Sequence, residues 1–208
     1  NANANIGVAF DGDGDRLIMV DELGKILDGD DILFVLANYY LSSDRSLGGV
    51  VGTLMTNLGL ERSIVALGLG FERVGVGDRF VMEKLKERDW ALGGETSGHI
   101  ICRDVATSGD GLLACLQILG GMSTSKRQLS ELRSGLIKFP QVLINVGASE
   151  KLKVLREAKL KEAVDQAKHS LGESGRILVR ASGTESLIRV MVEGRNRDQI
   201  NVVATDVV

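Results

Sequence analysis

The chain is poor in the residues that would place it outside a reducing compartment. It has only two cysteines, one proline, two histidines and one tryptophan among 208 residues. Cys102 and Cys115 are too few for a disulfide framework, and neither stands in a CxxC or Cys/His spacing that would bind zinc. A cytoplasmic setting is the expectation. No apolar run approaches the ~20 residues needed to cross a bilayer, and no charged segment followed by an apolar stretch opens the chain, so neither a membrane partner nor secretion is expected. Excess positive charge is lacking too. A net charge of −3 and a pI near 5.5 leave no footprint for nucleic acid or an anionic membrane, and any basic site must be local. There are no repeats or low-complexity tracts. What remains is a chain with 44% hydrophobic residues, enough core for one large or two small domains. Asn1-Ala2-Asn3-Ala4-Asn5 leads without an initiating Met straight into a core-like strand, so a missing upstream part is expected.

The densest chemistry is Asp11-Gly12-Asp13-Gly14-Asp15-Arg16, set between the apolar runs 6–10 and 17–20. Alternate side chains of an extended segment share one face about 7 Å apart. Glycines at the intervening positions let the backbone curl until three oxygens converge. Hard carboxylate oxygens suit Mg²⁺, which keeps coordination positions for water and substrate phosphate. Three other readings compete. A plain acidic turn would use Asp and Gly for turn chemistry alone, but gains nothing from three crowded like charges. An EF-hand would use Asp11, Asp13 and Asp15 as its first ligands and Glu22 as its bidentate glutamate, making the chain a noncatalytic Ca²⁺-binding module. Against it, Arg16 replaces the sharp-turn glycine and strands flank the loop where helices are required. A phosphatase-type nucleophile would make Asp13 or Asp15 an aspartyl-phosphate.

Patterning predicts strands at 6–10 and 16–20, a helix over 32–41 opened by the capping cluster Asp28-Gly29-Asp30-Asp31, and then alternation: strand 48–54, helix 57–67, strand 71–76, helix 78–88, short strands near 91 and at 100–102, helix 110–121. Such alternation implies a mostly parallel α/β layer over 30–135. Pro140 opens a strand at 141–146, followed by one helix over 150–170, strands 176–180 and 187–193, and a final helix from 197. The fold class is therefore α/β: a mixed or parallel α/β domain, then a smaller α+β domain of β-α-β-β-α order, with a boundary near 136–140.

Two further loops carry chemistry. Arg180-Ala181-Ser182-Gly183-Thr184-Glu185-Ser186, with Arg189 on the next strand, offers backbone amides, two hydroxyls and two guanidiniums to a phosphate. Read blandly, it is a hairpin turn whose arginines pair with Glu185 or Glu193. Gly93-Gly94-Glu95-Thr96-Ser97-Gly98-His99 places Glu95 and Ser97 to bond sugar hydroxyls and His99 as a proton-transfer candidate, or as an imidazole satisfied by a carbonyl. His169 reads as a solvated helix residue. Arg79 and Asp110 stand beside glycines at strand-helix junctions, where anions collect. Arg79 equally reads as a surface residue and Asp110 as a helix cap.

Asp-Gly-Asp-Gly-Asp-Arg at 11–16, Gly-Glu-Thr-Ser-Gly-His at 94–99 and Arg-Ala-Ser-Gly-Thr-Glu at 180–185 resemble, in order and spacing, the metal, sugar and phosphate loops of the α-D-phosphohexomutases. The resemblance covers nearly the whole chain. It implies a four-domain enzyme of which residues 1–29 end the second domain, 30–137 form the third and 138–208 the fourth. It also implies Mg²⁺ on Asp11, Asp13 and Asp15, with Arg16 steadying a phosphoryl group and His99 near the proton path. Arg79, Glu95, Ser97, Arg180, Ser182, Gly183, Thr184 and Arg189 would hold a hexosamine phosphate, and a homodimer is compatible with it. Two departures stand out. The family's serine loop, a Ser followed by His-Asn-Pro, is nowhere in these residues, so the chain by itself should not turn over. Ser186 stands where the family usually has proline, which should loosen the phosphate loop.

Overall fold

The computed structural model describes residues 4–43, 45–182 and 185–208. The chain divides into two compact units, Asn1–Ile137 and Lys138–Val208.

The first unit opens with β1 (Gly7–Phe10), β2 (Leu17–Val20) and β3 (Ile26–Leu27), an antiparallel sheet in that order with Phe10 opposite Leu17. The acidic loop is thus the connection of a β-hairpin. Leu17, Met19 and Leu27 turn inward onto α1 (Gly29–Ser42) and α4 (Gly111–Ser125), where they share one core with Ile32, Leu33, Leu36, Ala114 and Ile118. The α1 helix begins where expected: Asp28 accepts from the amides of Asp30 and Asp31, and the Asp31 carboxylate in turn accepts from the Asp28 amide.

The main sheet comprises β4 (Gly49–Thr53), β5 (Gly70–Val74), β6 (Leu92–Gly94) and β7 (Ile100–Cys102), in the order β5-β4-β6-β7. Helices α2 (Leu58–Ala66) and α3 (Asp78–Arg88) fill the crossovers. Strand β4 is buried along its whole length, as a two-sided parallel strand must be. The layer is mostly parallel as expected, with one antiparallel pair at its edge. Strand β7 runs antiparallel to β6 because 95–99 form a tight reversal, with Gly98 N donating to Glu95 O at 3.0 Å and Glu95 N to His99 O at 2.9 Å. Helix α4 also runs four residues beyond 121, stopping where Lys126 turns left-handed, and a short α5 (Leu129–Leu132) follows.

The second unit has β8 (Gln141–Gly147), β9 (Gly175–Ala181) and β10 (Leu187–Gly194) in an antiparallel sheet of order β8-β10-β9. Ile188, Val190 and Val192 of β10 meet Ala167 and Leu171 of α7 (Ala158–Leu171) and Ile200, Val203 and Ala204 of α8 (Arg197–Asp206). The single helix expected over 150–170 is two: α6 (Lys151–Val154) ends in a turn, and α7 starts anew after Glu157. The break lets Val154 and Leu155 pack against the same core as Leu160 and Val164, which one straight helix would carry past it.

One buried cluster in the first unit makes stability depend on pH. Burial above all pushes the Cys102 thiol up to about 11, and burial, next to Cys102 and Asp104, also raises the phenol of Tyr40, which donates to Asp104 Oδ1 at 2.8 Å. Both groups fold in their neutral forms. The thiol's stabilisation is complete below its unfolded value of 9.0 and is lost as pH climbs toward 11, while the phenol's begins to be lost only above its unfolded value of 10.0. Urea midpoints should show a loss of about 3 kcal/mol across that window, and Cys102→Ala should reduce the slope. A slope that Cys102→Ala leaves unchanged would contradict this account.

Candidate functional site

The β1–β2 hairpin closes the acidic loop on itself. Gly14 N donates to Asp11 O at 3.3 Å and Arg16 N to Asp11 Oδ1 at 3.1 Å, so one ligand candidate also shapes the loop. Asp11, Asp13 and Asp15 each bring a carboxylate oxygen within 4.8 Å of the others. Mg²⁺ ligands at 2.0–2.1 Å from the ion lie about 3 to 4 Å from one another, so a small closure of the loop suffices. The Asp15 Oδ1 atom is buried and has no hydrogen-bond partner among the described residues, and Arg16 Nε lies 3.9 Å from it. A buried, unpartnered carboxylate oxygen on one member of a three-carboxylate cluster fits a divalent ion. Partial desolvation works against ionisation of Asp11. Even so, the bond from the Arg16 amide, together with the Arg16 guanidinium at 3.7 Å, holds its carboxyl below the ordinary range.

The EF-hand reading fails here. Strands flank the loop, and Glu22 is engaged by the hydroxyl and amide of Ser130, the former above all keeping its carboxyl low. An aspartyl-phosphate nucleophile gains no support either, since the loop joins antiparallel strands of a small side sheet.

The second loop lies directly against the first. Leu17 N donates to Gly98 O at 3.0 Å, Arg16 and His99 form an antiparallel bridge, and Gly111 N donates to Gly14 O at 3.0 Å. His99 Nδ1 lies 3.0 Å from Asp15 Oδ2. Beneath the loop, Asp30 in the first turn of α1 accepts from Thr96 Oγ1 and Asn57 N, both at 3.0 Å. Glu95 accepts from Gly77 N at 3.0 Å, and Ser97 is exposed. Arg79 is drawn away along α3 to Glu83 at 2.8 Å with its side chain 80% exposed, as the surface reading anticipated. Asp110 caps α4 through Leu113 N at 2.8 Å. His169 is exposed on α7.

In the second unit, the anion turn follows β9. Gly183 and Thr184 lie outside the described residues. Around them, Arg180 and Arg189 are directly opposite in the β9–β10 register, a like-charge pairing that an anion would relieve. Arg189 reaches Glu185 at 2.7 Å, the pairing a plain hairpin would show, but its Nε is buried without a partner among the described residues. Arg180 makes a long contact to Ala181 O at 3.4 Å. Ser182 is buried, its amide donating to Leu187 O at 2.9 Å and its hydroxyl accepting from Glu185 N at 3.3 Å.

Lys151 went unread in the sequence: from α6 its ammonium donates to Ser182 O at 2.8 Å and Glu185 O at 2.7 Å. With Ala148 N bonded to Ser186 O at 3.0 Å, it offsets the slack expected from the absent proline. A lysine following the strand that pairs with β10 was the available signal. Gly109 was also unread: a methyl group there would stand 2.0 Å from His99 Nε2, a close approach that no spacing shows.

Two family models match this chain: phosphoglucomutase/phosphomannomutase alpha/beta/alpha domain III over residues 28–139, and the C-terminal domain of the same enzymes over 143–208. The chain belongs to the phosphoglucomutase/phosphomannomutase family. It is 52% identical over 198 residues to a phosphoglucosamine mutase of Marinomonas sp. (strain MWYL1), covering 95% of this chain and 44% of that protein. It is also 52% identical to a phosphoglucosamine mutase of Halorhodospira halophila, covering 98% and 45%. The chain thus spans a little under half the length of these relatives. The family fold is equally plain in structure. An N-acetylglucosamine-phosphate mutase in a product complex superposes with a TM-score of 0.80 at 20% identity, over 97% of this chain and 48% of that one. The Aspergillus fumigatus N-acetylphosphoglucosamine mutase in complex with GlcNAc-6P and magnesium does so with 0.78 at 22%, over 96% and 47%.

Proposed function

We propose that this chain supplies the metal, sugar and distal-phosphate sites of a cytoplasmic phosphoglucosamine mutase. That enzyme interconverts glucosamine 6-phosphate and glucosamine 1-phosphate through an enzyme phosphoserine and a 1,6-bisphosphate, toward UDP-N-acetylglucosamine. The observation that carries the reading is the three-carboxylate cluster with Arg16, joined through backbone bonds to the Gly94–His99 loop. The names of the half-identical relatives point to the same substrate. In this reading residues 1–29 end a preceding domain, 30–137 form the sugar domain and 138–208 the phosphate domain. The serine that carries the phosphoryl group lies outside the chain.

Phosphoryl transfer needs positioning and charge neutralisation more than covalent chemistry from the protein. Asp11, Asp13 and Asp15 would hold Mg²⁺, which when bound neutralises charge on the phosphoryl oxygens. Arg16 would orient the phosphoryl group. Glu95 and Ser97 would receive the sugar hydroxyls, while Arg180, Ser182, Gly183, Thr184 and Arg189 would grip the phosphate at the far end. Arg79 would join them by leaving Glu83, an exposed pairing that solvent screens and that is easily given up.

The test is a chimera in which this chain replaces the matching part of the Marinomonas relative. It should interconvert glucosamine phosphates and do so faster than glucose or mannose phosphates. Equal or faster turnover of glucose or mannose phosphate would move the assignment to a phosphoglucomutase or phosphomannomutase. A folded chimera idle on all three would end the mutase reading.

A further inference from the structure

We propose that Asp30 and Thr96 are a pair of positioning residues for sugar recognition: the buried carboxylate seats Thr96 and thereby sets where Glu95 and Ser97 stand. The inference rests on the sugar-loop reading above only for its consequence for ligand binding.

Of the three polar side chains at 95–97, the middle one parts from its neighbours. Ser97 is exposed and Glu95 accepts from Gly77 N at 3.0 Å, whereas Thr96 Oγ1 donates to Asp30 Oδ1 at 3.0 Å. A second acceptor, Met55 O, lies 3.4 Å from the same hydroxyl. Asp30 is 1% exposed, and a bond from a hydroxyl to a carboxylate is strongest where water is kept away. Its place in the first turn of α1 suits a negative charge. The second carboxylate oxygen accepts from Asn57 N at 3.0 Å, so one buried group holds the loops that follow both β4 and β6. The loop after β4 is itself stiff. Thr53 N donates to Thr56 Oγ1 at 2.9 Å and Met55 N to Thr53 Oγ1 at 3.2 Å, while Arg73 donates to the carbonyls of Thr53 and Thr56 at 3.0 and 2.6 Å. Asp30 therefore ties the 94–99 loop to a fixed one.

The backbone adds a second attachment at the same residue. Gly29 N donates to Thr96 O at 3.1 Å. A methyl group at Gly29 would stand 1.9 Å from Glu95 O and 2.8 Å from Gly98 N, so the loop rests on bare backbone at the start of α1. Thr96 is thus held by its hydroxyl and by its carbonyl, and the residues on either side inherit its position. Such a seat governs how well sugar hydroxyls are met by Glu95 and Ser97 without itself touching them.

The experiment uses the 208-residue chain, with glucosamine 6-phosphate titrated against the Ser97 amide resonance and inorganic phosphate against the Arg189 Nε–H resonance. T96V, which keeps the shape and removes the hydroxyl, should weaken glucosamine 6-phosphate about 10-fold, while T96S should stay within about threefold of the parent. T96V should leave inorganic phosphate at Arg189 within about twofold, a contrast that general loosening of the fold would not produce. G29A should weaken glucosamine 6-phosphate at least as much as T96V, and G29A/T96V should be no weaker than G29A, because both changes act through one seat. The parent should show a slowly exchanging Thr96 hydroxyl proton that G29A releases to solvent. An unprotected Thr96 hydroxyl in the parent, unchanged affinity in T96V, T96S as weak as T96V, additive losses in the double variant, or equal losses at Ser97 and Arg189 would each overturn the proposal. If Ser97 gives no response to glucosamine 6-phosphate at millimolar concentration while the Thr96 hydroxyl is protected and G29A releases it, the sugar reading fails and the seat stands.

Discussion

Asp13→Asn is expected to weaken Mn²⁺ binding by the chain on the order of a hundredfold or more, at the upper end of what even supporting residues of metal sites contribute, while leaving the fold at least as stable. Asp13 is exposed at the tip of the β1–β2 hairpin and is one of the three carboxylates within 4.8 Å of each other. An amide in its place keeps the shape and removes a full negative charge, which hard cations depend on. In the metal-free chain the same change relieves like-charge repulsion, so thermal unfolding should shift upward or not at all. In the chimera, turnover should fall at least as far as affinity. Mn²⁺ binding followed by electron paramagnetic resonance, beside a melting curve, separates the two effects. Unchanged affinity would remove Asp13 from the site, and a large drop in melting temperature would make it a structural turn residue instead.

Gly98→Ala is expected to cost about 3–5 kcal/mol, combining backbone strain at an unfavourable φ with a clash that rotamer changes cannot relieve. Gly98 has φ of +95°, and a methyl group there would lie 2.2 Å from Leu17 O and 3.0 Å from Leu17 N and C. Those are backbone atoms of β2, and Leu17 N is bonded to Gly98 O, so strand and loop must part for the methyl to fit. Urea denaturation measures the loss. The same substitution should lower Mn²⁺ affinity, because Arg16 and Asp15 move with β2. A midpoint corresponding to less than about 1 kcal/mol of change would show that the loop can slide off the strand at little cost, against the strain expected for a non-glycine residue there.

Sequence reading succeeded where the chemistry is local. Asp11, Asp13 and Asp15 could be read as converging because glycine alternates with them, and Asp28 and Asp110 as caps because each precedes an apolar-periodic run. It erred where a distant contact decides. The 150–170 stretch has good helix formers throughout, yet Val154 and Leu155 are drawn into the β-sheet core and break it. The antiparallel direction of β7 was not legible, because the reversal at 95–99 is made by backbone bonds that composition does not encode. Lys151 and Gly109 stayed unread for the same reason. One clasps carbonyls 31 and 34 residues away, and the other matters for the side chain it lacks. Glu95, Ser97 and Arg79 were legible as polar residues at strand ends, but not the partners they now hold: Gly77 N for Glu95 and Glu83 for Arg79.

The stitching of Gly14, Arg16 and Leu17 to Gly111, His99 and Gly98 has a bearing on how such proteins diversify. Two segments more than eighty residues apart in the chain are welded into a single piece, so neither can be re-cut alone. A relative seeking a different sugar could not acquire it by swapping the 94–99 stretch in isolation, because the foreign loop would arrive without its matching hairpin. Inheritance of the two as a set is the cheaper route, and grafts that carry 11–17 together with 94–111 are the ones to build.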